Sequence, residues 1–210
     1  MRSPRASAIQ VVVHITALLP LSVIIWDFWQ GQLTVNPIQE IQLRTGRYAL
    51  LILILSLSCT PLSRIFGSGR IFRLRRPLGL YAFAYASLHF LNFIGLDYGF
   101  NLALLREDIA EKSFVILGFA AFLCMLPVAI TSTRGWMQRL GKNWERVHWL
   151  VYPAAILAVT HFTLQVKADF RLPLLYWALL ILLLATRLPV IRKMAGRFAP
   201  GRSGSGSGQI

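Results

Sequence analysis

Two histidines, His89 and His161, lie inside long apolar runs of the chain. A membrane tolerates an ionisable side chain only where it is paired or ligated, so each is a candidate functional residue. Each has alanines three and seven residues before it on the same helix face, namely Ala82 and Ala86, and Ala154 and Ala158. Small residues are also typical of close helix packing. Two imidazoles beside small-residue strips suit a flat macrocycle, and we predict haem b with His89 and His161 as axial iron ligands.

A third histidine, His148, lies 13 residues before His161, near one predicted membrane surface. An ideal helix would not place both on one stripe, although Pro153 between them can kink the helix. His14 is the other histidine expected on that side, and it is a weaker candidate. His148 could ligate a second haem, with His14 or a non-histidine residue as the other ligand, or it could lie at the wet interface, and the sequence leaves both readings open.

Other chemistries find little support. Cys59 and Cys124 lie on different apolar runs and lack the paired spacing of a zinc or iron–sulfur site. The sequence also shows no phosphate-cradling glycine loop and no constellation typical of a hydrolase. The net charge of +14 comes from basic residues that flank apolar segments. The predicted surroundings are therefore membrane lipid, and nucleic-acid binding is not expected.

Apolar segments long enough to need a membrane position these histidines. Hydrophobic residues make up 56% of the chain, and a membrane helix needs about 20 of them in a row. The predicted spans are Ile9–Phe28, Tyr48–Pro61, Leu78–Leu96, Phe114–Thr131, Val147–Val166 and Leu172–Val190. The fold class expected is an all-α integral membrane protein, a six-helix bundle forming a single domain over residues 1–200. Residues 201–210 are interpreted as a flexible Gly/Ser tail foreign to that domain, and no convincing internal repeat is evident.

Charge predicts the orientation of the bundle. With both termini in the cytoplasm, sixteen of the 22 Lys and Arg residues fall on the inner side, and seven of the eight acids fall on the outer side. The third and fifth spans then both run outward. His89 and His161 lie about 18–21 Å along them at 1.5 Å per residue. Both histidines are therefore expected at one depth, in the outer half of the membrane.

A transporter and a structural membrane anchor are the alternatives from other functional classes. A transporter needs charged or polar groups along a path, and the predicted spans contain almost no acids. A purely structural anchor has no need of matched intramembrane histidines. Electron transfer through a haem is therefore the favoured function.

Three segments resemble the MsrQ (YedZ) family. They are residues 75–89 (RRPLGLYAFAYASLH), residues 131–148 (TSTRGWMQRLGKNWERVH) and residues 151–161 (VYPAAILAVTH), and Asn36-Pro37 with Arg44-Thr45-Gly46 fits as well. The resemblance covers nearly the whole chain before the Gly/Ser tail. It implies a ferric-reductase-like transmembrane domain, the haem-bearing inner-membrane subunit of a bacterial periplasmic methionine sulfoxide reductase system.

The resemblance also implies cofactors and partners. These are haem b, one or two per chain, and FMN, with electrons passed to an MsrP-like periplasmic molybdopterin reductase. A cytoplasmic flavin reductase or the quinone pool would be the electron donor. A transmembrane ferric or quinone-linked reductase with another acceptor is the alternative within the wider group.

One departure from that wider group bears on the inner half of the membrane. The third span carries one histidine, where the related NADPH oxidase domains carry two on each ligand helix. This favours a flavin over a second haem on the inner side. Arg75 and Arg76 are the predicted contacts for an FMN phosphate or a haem propionate, since guanidinium groups bind such anions bidentately.

Overall fold

The computed structural model describes residues 4–187, which form nine α-helices and one π-helical segment and contain no strand. The α-helices are α1 Pro4–Trp29, α2 Pro37–Ile65, α3 Gly69–Leu91, α4 Leu102–Glu111, α5 Ser113–Ile130, α6 Arg134–Leu140, α7 Asn143–His148, α8 Val151–Gln165 and α9 Arg171–Ala185. Five segments are long and apolar enough to cross a membrane, and α9 is a shorter apolar helix. An all-helical membrane protein is therefore what the chain forms.

The second membrane helix extends well beyond the predicted span Tyr48–Pro61. α2 begins at Pro37, where the Asn36 side chain accepts a hydrogen bond from the Gln39 amide at 3.1 Å, and it continues to Ile65. Proline at the first helical position and an asparagine N-cap are strong start signals. Hydropathy alone misses these turns because they are polar, yet they place the N-terminal part of α2 beside His89.

α3 continues without a break into the π-helical segment Asn92–Asp97. The buried Asn92 side chain donates from Nδ2 to the Ile38 carbonyl at 3.1 Å and to Gln42 Oε1 at 2.7 Å. π-Helical turns are rare and are common at functional sites. This one ties the end of α3 to α2 just beyond His89.

The fifth predicted span, Val147–Val166, falls almost entirely within one apolar segment, Asn143–Gln165, that is long enough to cross a membrane. α7 ends at His148 and α8 begins at Val151, and the two linking residues keep right-handed helical backbone angles. Pro153 lies in the first turn of α8, where a missing N–H is tolerated. The sixth predicted span, Leu172–Val190, corresponds to α9 as far as Ala185. Its last residues, 188–190, and the predicted tail 201–210 lie outside the described residues.

Two helix pairs, α2 with α3 and α5 with α8, form the centre of the bundle. Leu53, Val159 and Leu180 are buried there, and Ala82 and Ala154 are fully buried at the closest helix contacts. α1 packs at the side, where the Tyr85 hydroxyl donates to the Ala17 carbonyl at 2.8 Å. Large apolar side chains cover the outer faces of the helices, which is the surface that a lipid-embedded bundle presents.

Candidate functional site

The structure brings the rings of His89 of α3 and His161 of α8 together in a T-shaped arrangement. Their ring centroids lie 6.1 Å apart and their planes are nearly perpendicular, at 82°. Both line a cavity of about 280 Å³ between the two central helix pairs. Residues 72 positions apart in the chain therefore share one site, at a common level of the bundle.

Each imidazole is held through its Nδ1 atom by a main-chain carbonyl of a neighbouring helix. His89 Nδ1 lies 2.9 Å from the Gln42 carbonyl of α2, and His161 Nδ1 lies 2.7 Å from the Phe114 carbonyl of α5. A carbonyl oxygen only accepts, so Nδ1 must carry the hydrogen in both rings. The lone pair then resides on Nε2, the arrangement typical of metal-binding histidines.

A glycine stands one helical turn after each of these carbonyls. A Cβ added to Gly46 would lie 2.9 Å from His89 Cε1 and Nδ1, and one added to Gly118 would lie 2.8 Å from the same atoms of His161. Side-chain carbons essentially never approach so closely. The two glycines therefore leave the space in which the imidazoles reach the carbonyls.

The two halves of the site repeat each other. Each histidine lies 47 residues after the carbonyl that holds it, on α2 and α3 in one half and on α5 and α8 in the other. The glycines keep the same relation. The sequence shows no convincing repeat because the other residues of the two halves differ, but the geometry around the histidines is duplicated.

The Nε2 atom of His89 faces the side chain of Gln42. The Gln42 amide nitrogen lies 3.3 Å from it, and the Gln42 side-chain oxygen accepts from Asn92, which orients the amide. Within residues 4–187, no hydrogen bond engages Nε2 of His161. A metal ion bound at His89 Nε2 would have to replace this amide contact.

Flat and small side chains form most of the cavity wall. Phe90 and Phe122 stack with ring centroids 4.8 Å apart, and Phe119 stacks on Phe90 at 5.7 Å. Ala86 and Ala158 also line the cavity, whereas Ala82 and Ala154 are buried in helix packing. In each small-residue strip, one alanine therefore lines the cavity and the other, one turn earlier, allows close helix packing.

The arrangement suits a metal ion that needs two protein ligands. An imidazole nitrogen binds a metal at about 2 Å and lies roughly 1 Å from its ring centre, so two rings facing across one ion have centres about 6 Å apart. The observed 6.1 Å meets that requirement. No group of three or more His, Cys, Asp or Glu side chains converges among the described residues. The remaining ligands would have to come from a macrocycle, as in haem.

His148 lies away from this site, at the end of α7. Its ring stacks on Trp144 with centroids 3.9 Å apart, and its Nε2 lies 3.5 Å from the Ser132 hydroxyl. Arg75 of α3 is close enough to act on it electrostatically. The structure thus brings together two of the residues predicted for the inner site.

The remaining predicted site residues are more scattered. His14 of α1 is exposed, and its Nδ1 lies 2.8 Å from the Tyr81 hydroxyl of α3. Its described contacts share no residue with those of His148. Arg76 is exposed beside the partly buried Arg75. The free cysteines Cys59 and Cys124 lie on α2 and α5, separate from either histidine site.

Several residues of the site were not singled out from the sequence. Gln42 and Phe114 act through main-chain carbonyls, which no side-chain pattern reveals, and Gly118 resembles any glycine of an apolar helix. The matched spacing of Gly46 to His89 and of Gly118 to His161 was the available signal. Arg47, which also lines the cavity, was not singled out either.

Comparisons with known proteins agree with this architecture. Residues 45–159 match the family described as ferric reductase like transmembrane component. Three relatives carry the name protein-methionine-sulfoxide reductase heme-binding subunit MsrQ. The protein from Xanthomonas euvesicatoria is 42% identical over 201 residues, 93% of this chain and 91% of its own length. That from Xanthomonas oryzae is 43% identical, covering 91% and 92% of the two chains. That from Rhodospirillum rubrum is 42% identical, covering 91% and 93%.

Proposed function

Because the chain belongs to the ferric-reductase-like transmembrane family, and within it to the MsrQ haem-binding subunits, we propose that it is a haem b electron carrier. In this proposal it lies in the bacterial inner membrane and passes electrons outward to a periplasmic molybdopterin methionine sulfoxide reductase of the MsrP kind. That reductase repairs oxidised methionines of periplasmic proteins.

The observation that carries the proposal is the pair of imidazoles at 6.1 Å, each oriented by a carbonyl and given room by a glycine. His89 and His161 would hold the haem iron through Nε2. Haem supplies reversible one-electron chemistry when bound. The protein fixes the ring orientation through Nδ1 and surrounds the site with aromatic and aliphatic groups that exclude water.

The proposed topology has six crossings with both termini in the cytoplasm, α9 being the sixth. It rests on the excess of Lys and Arg in the inner loops and of acids in the outer ones. The ion pairs of Arg44 with Asp27 and Glu40 then lie towards the outer side. In this orientation the paired histidines lie in the outer half, close to a periplasmic electron acceptor.

A carrier in the outer half leaves the inner half of the membrane to be crossed. We assign a second redox group, FMN, to the inner face near Arg75, Arg76 and His148. A cytoplasmic flavin reductase or quinol would supply its electrons. Arg75 is also close enough to Arg187 to act on it electrostatically. Arg187 donates to the Tyr152 hydroxyl at 2.6 Å and to the Leu57 carbonyl at 3.3 Å.

The inner cations have little anionic compensation within the chain. Glu145 is the single carboxylate of the proposed inner side in the whole sequence, and it is exposed. An FMN phosphate, nearly a dianion at neutral pH, would supply the missing negative charge. The positive-inside rule accounts for the presence of the arginines. The FMN phosphate would bind those that lie near His148.

The test is an absorbance spectrum of the purified protein followed by reoxidation of the reduced haem. We expect a low-spin bis-histidine haem whose rapid reoxidation requires the periplasmic reductase together with methionine sulfoxide. A protein that carries no haem would overturn the proposal. Reoxidation by ferric chelate or quinone, with none by the reductase, would instead favour a ferric or quinone-linked reductase.

A further inference from the structure

Arg47 is an exposed cation in the first half of a membrane helix, with no carboxylate partner among the described residues. It lies ten residues into α2, a helix of 29 residues that is apolar enough to cross a membrane. Within residues 4–187 it makes no ion pair and no recorded hydrogen bond, whereas Arg44, one turn earlier, is paired with both Asp27 and Glu40. Intramembrane charges are rare and mark functional sites, where a partner is expected.

Arg47 lines the same cavity as the two histidines. It shares one face of α2 with Leu43, Gly46 and Leu50, which line the cavity too. Gly46 is the residue against which the His89 ring packs. Arg47 follows Gly46 directly in the chain, so it lies close to the level of the proposed iron.

The direction of the side chain follows from the helix. Side chains of an α-helix tilt towards its N-terminus, which for α2 is the outer end in the proposed topology. Tyr176, near the outer end of α9, is close enough to Arg47 to interact with it electrostatically. The guanidinium group thus lies at the outer rim of a cavity whose wall is otherwise mostly aromatic and aliphatic.

We propose that Arg47 binds a propionate carboxylate of the haem held by His89 and His161. Haem brings two carboxylates into the site, and a guanidinium group binds a carboxylate through two parallel, charge-assisted hydrogen bonds. Asp97 also lines the cavity, but no ion pair joins it to Arg47. The propionate therefore supplies the counter-ion that the described chain does not, and it orients the macrocycle with its carboxylates towards the outer surface. This assignment rests on the proposed haem function.

The test separates the carboxylate from the rest of the macrocycle. Wild type, Arg47→Gln and Arg47→Lys are reconstituted with haem b and with its dimethyl ester, which has no carboxylate charge. Transfer of haem to an apoglobin then gives the dissociation rate. We expect Arg47→Gln to release haem b about tenfold faster, as loss of a charged hydrogen bond predicts, and to release the ester at the wild-type rate. Arg47→Lys keeps the charge and should show a smaller change.

A second readout is the midpoint potential of the haem. Removing a cation near the propionate should lower it in Arg47→Gln, because the ferric form carries the additional positive charge. Arg44→Gln is the matched control, since Arg44 is on the same helix but does not line the cavity. It should leave both the haem b-to-ester rate ratio and the potential unchanged.

Equal acceleration for haem b and ester in Arg47→Gln, or no acceleration, would overturn the assignment. If Arg47→Gln does not insert, Arg47→Lys decides on the same ratio of rates. Failure of the wild-type protein to bind haem would refute the proposed function itself. Haem binding by the wild type that does not change on substitution of Arg47 would refute only the assignment of Arg47.

Discussion

At the scale of single residues, the imidazoles are oriented before any cofactor is considered. The Gln42 and Phe114 carbonyls fix Nδ1, and the lone pair of Nε2 is left for a metal. We expect His89→Ala and His161→Ala each to lower haem affinity by more than the roughly 10- to 100-fold that loss of a ligand's hydrogen-bond partner costs. Haem content per inserted protein measures this, with His14→Ala as the control that keeps its haem. An unchanged low-spin spectrum in either variant would contradict the ligand assignment.

The glycines give a prediction that depends on space alone. In Gly118→Ala or Gly46→Ala the new methyl group would collide with an imidazole at 2.8–2.9 Å. The ring must move and lose its carbonyl hydrogen bond, at a cost of about 1–3 kcal/mol. We expect reduced haem content and a perturbed low-spin spectrum. Gly69→Ala is the matched control, because a Cβ there meets nothing within 4 Å. Wild-type haem spectra in both cavity variants would show that the rings do not occupy the positions described.

At the scale of helices, His148 and His161 lie towards opposite ends of one apolar segment, Asn143–Gln165. His148 ends α7 and stacks on Trp144, while His161 belongs to α8. A change at His148 should therefore leave the outer site intact. We expect His148→Ala to retain the outer haem spectrum and to slow haem reduction from the cytoplasmic side. Stopped-flow reduction of proteoliposomes by a flavin reductase and NADH measures it. Unchanged kinetics would make His148 an ordinary interfacial residue.

The cytoplasmic end of α3 yields the prediction for flavin. Arg75→Gln with Arg76→Gln removes the charge of Arg75, which acts on His148, and that of its neighbour Arg76, without reversing the charge that sets topology. We expect weaker retention of FMN through purification and an unaltered outer haem. The same change at Arg134 and Arg139, on α6, is the control for a general loss of inner charge. Equal FMN in the Arg75/Arg76 variant would exclude these arginines, and a preparation with two haems and no flavin would exclude the inner flavin itself.

At the scale of the whole molecule, charge and hydropathy together define a crossing pattern that can be measured. The proposed six crossings would place the loop between α2 and α3 in the cytoplasm and the loop between α1 and α2 in the periplasm. Single cysteines introduced at Ser68 and at Gln32, after replacement of Cys59 and Cys124, should differ in labelling by an impermeant maleimide in intact spheroplasts. We expect labelling at position 32 only. Labelling at position 68 in sealed spheroplasts would reverse the orientation and place the haem on the inner side.

Much of this protein could be predicted from its sequence, because apolar run length and charge bias act locally. The class of fold, the approximate position of each apolar helix, and the choice of His89 and His161 all follow from residue type and spacing. Helix ends were predicted less well. α2 extends through polar turns that Asn36 and Pro37 start. Hydropathy does not respond to capping.

The sequence by itself therefore determined that the chain is a membrane helix bundle with two histidines at matching depth. Only the tertiary structure decided how those histidines are held. Their Nδ1 atoms bind carbonyls 47 residues away, and Gly46 and Gly118 make that approach free of steric clash. The same holds for the unpaired Arg47 at the edge of the cavity. Main-chain acceptors, free space and missing partners are properties of packed helices, because they arise only when segments distant in the chain are brought together.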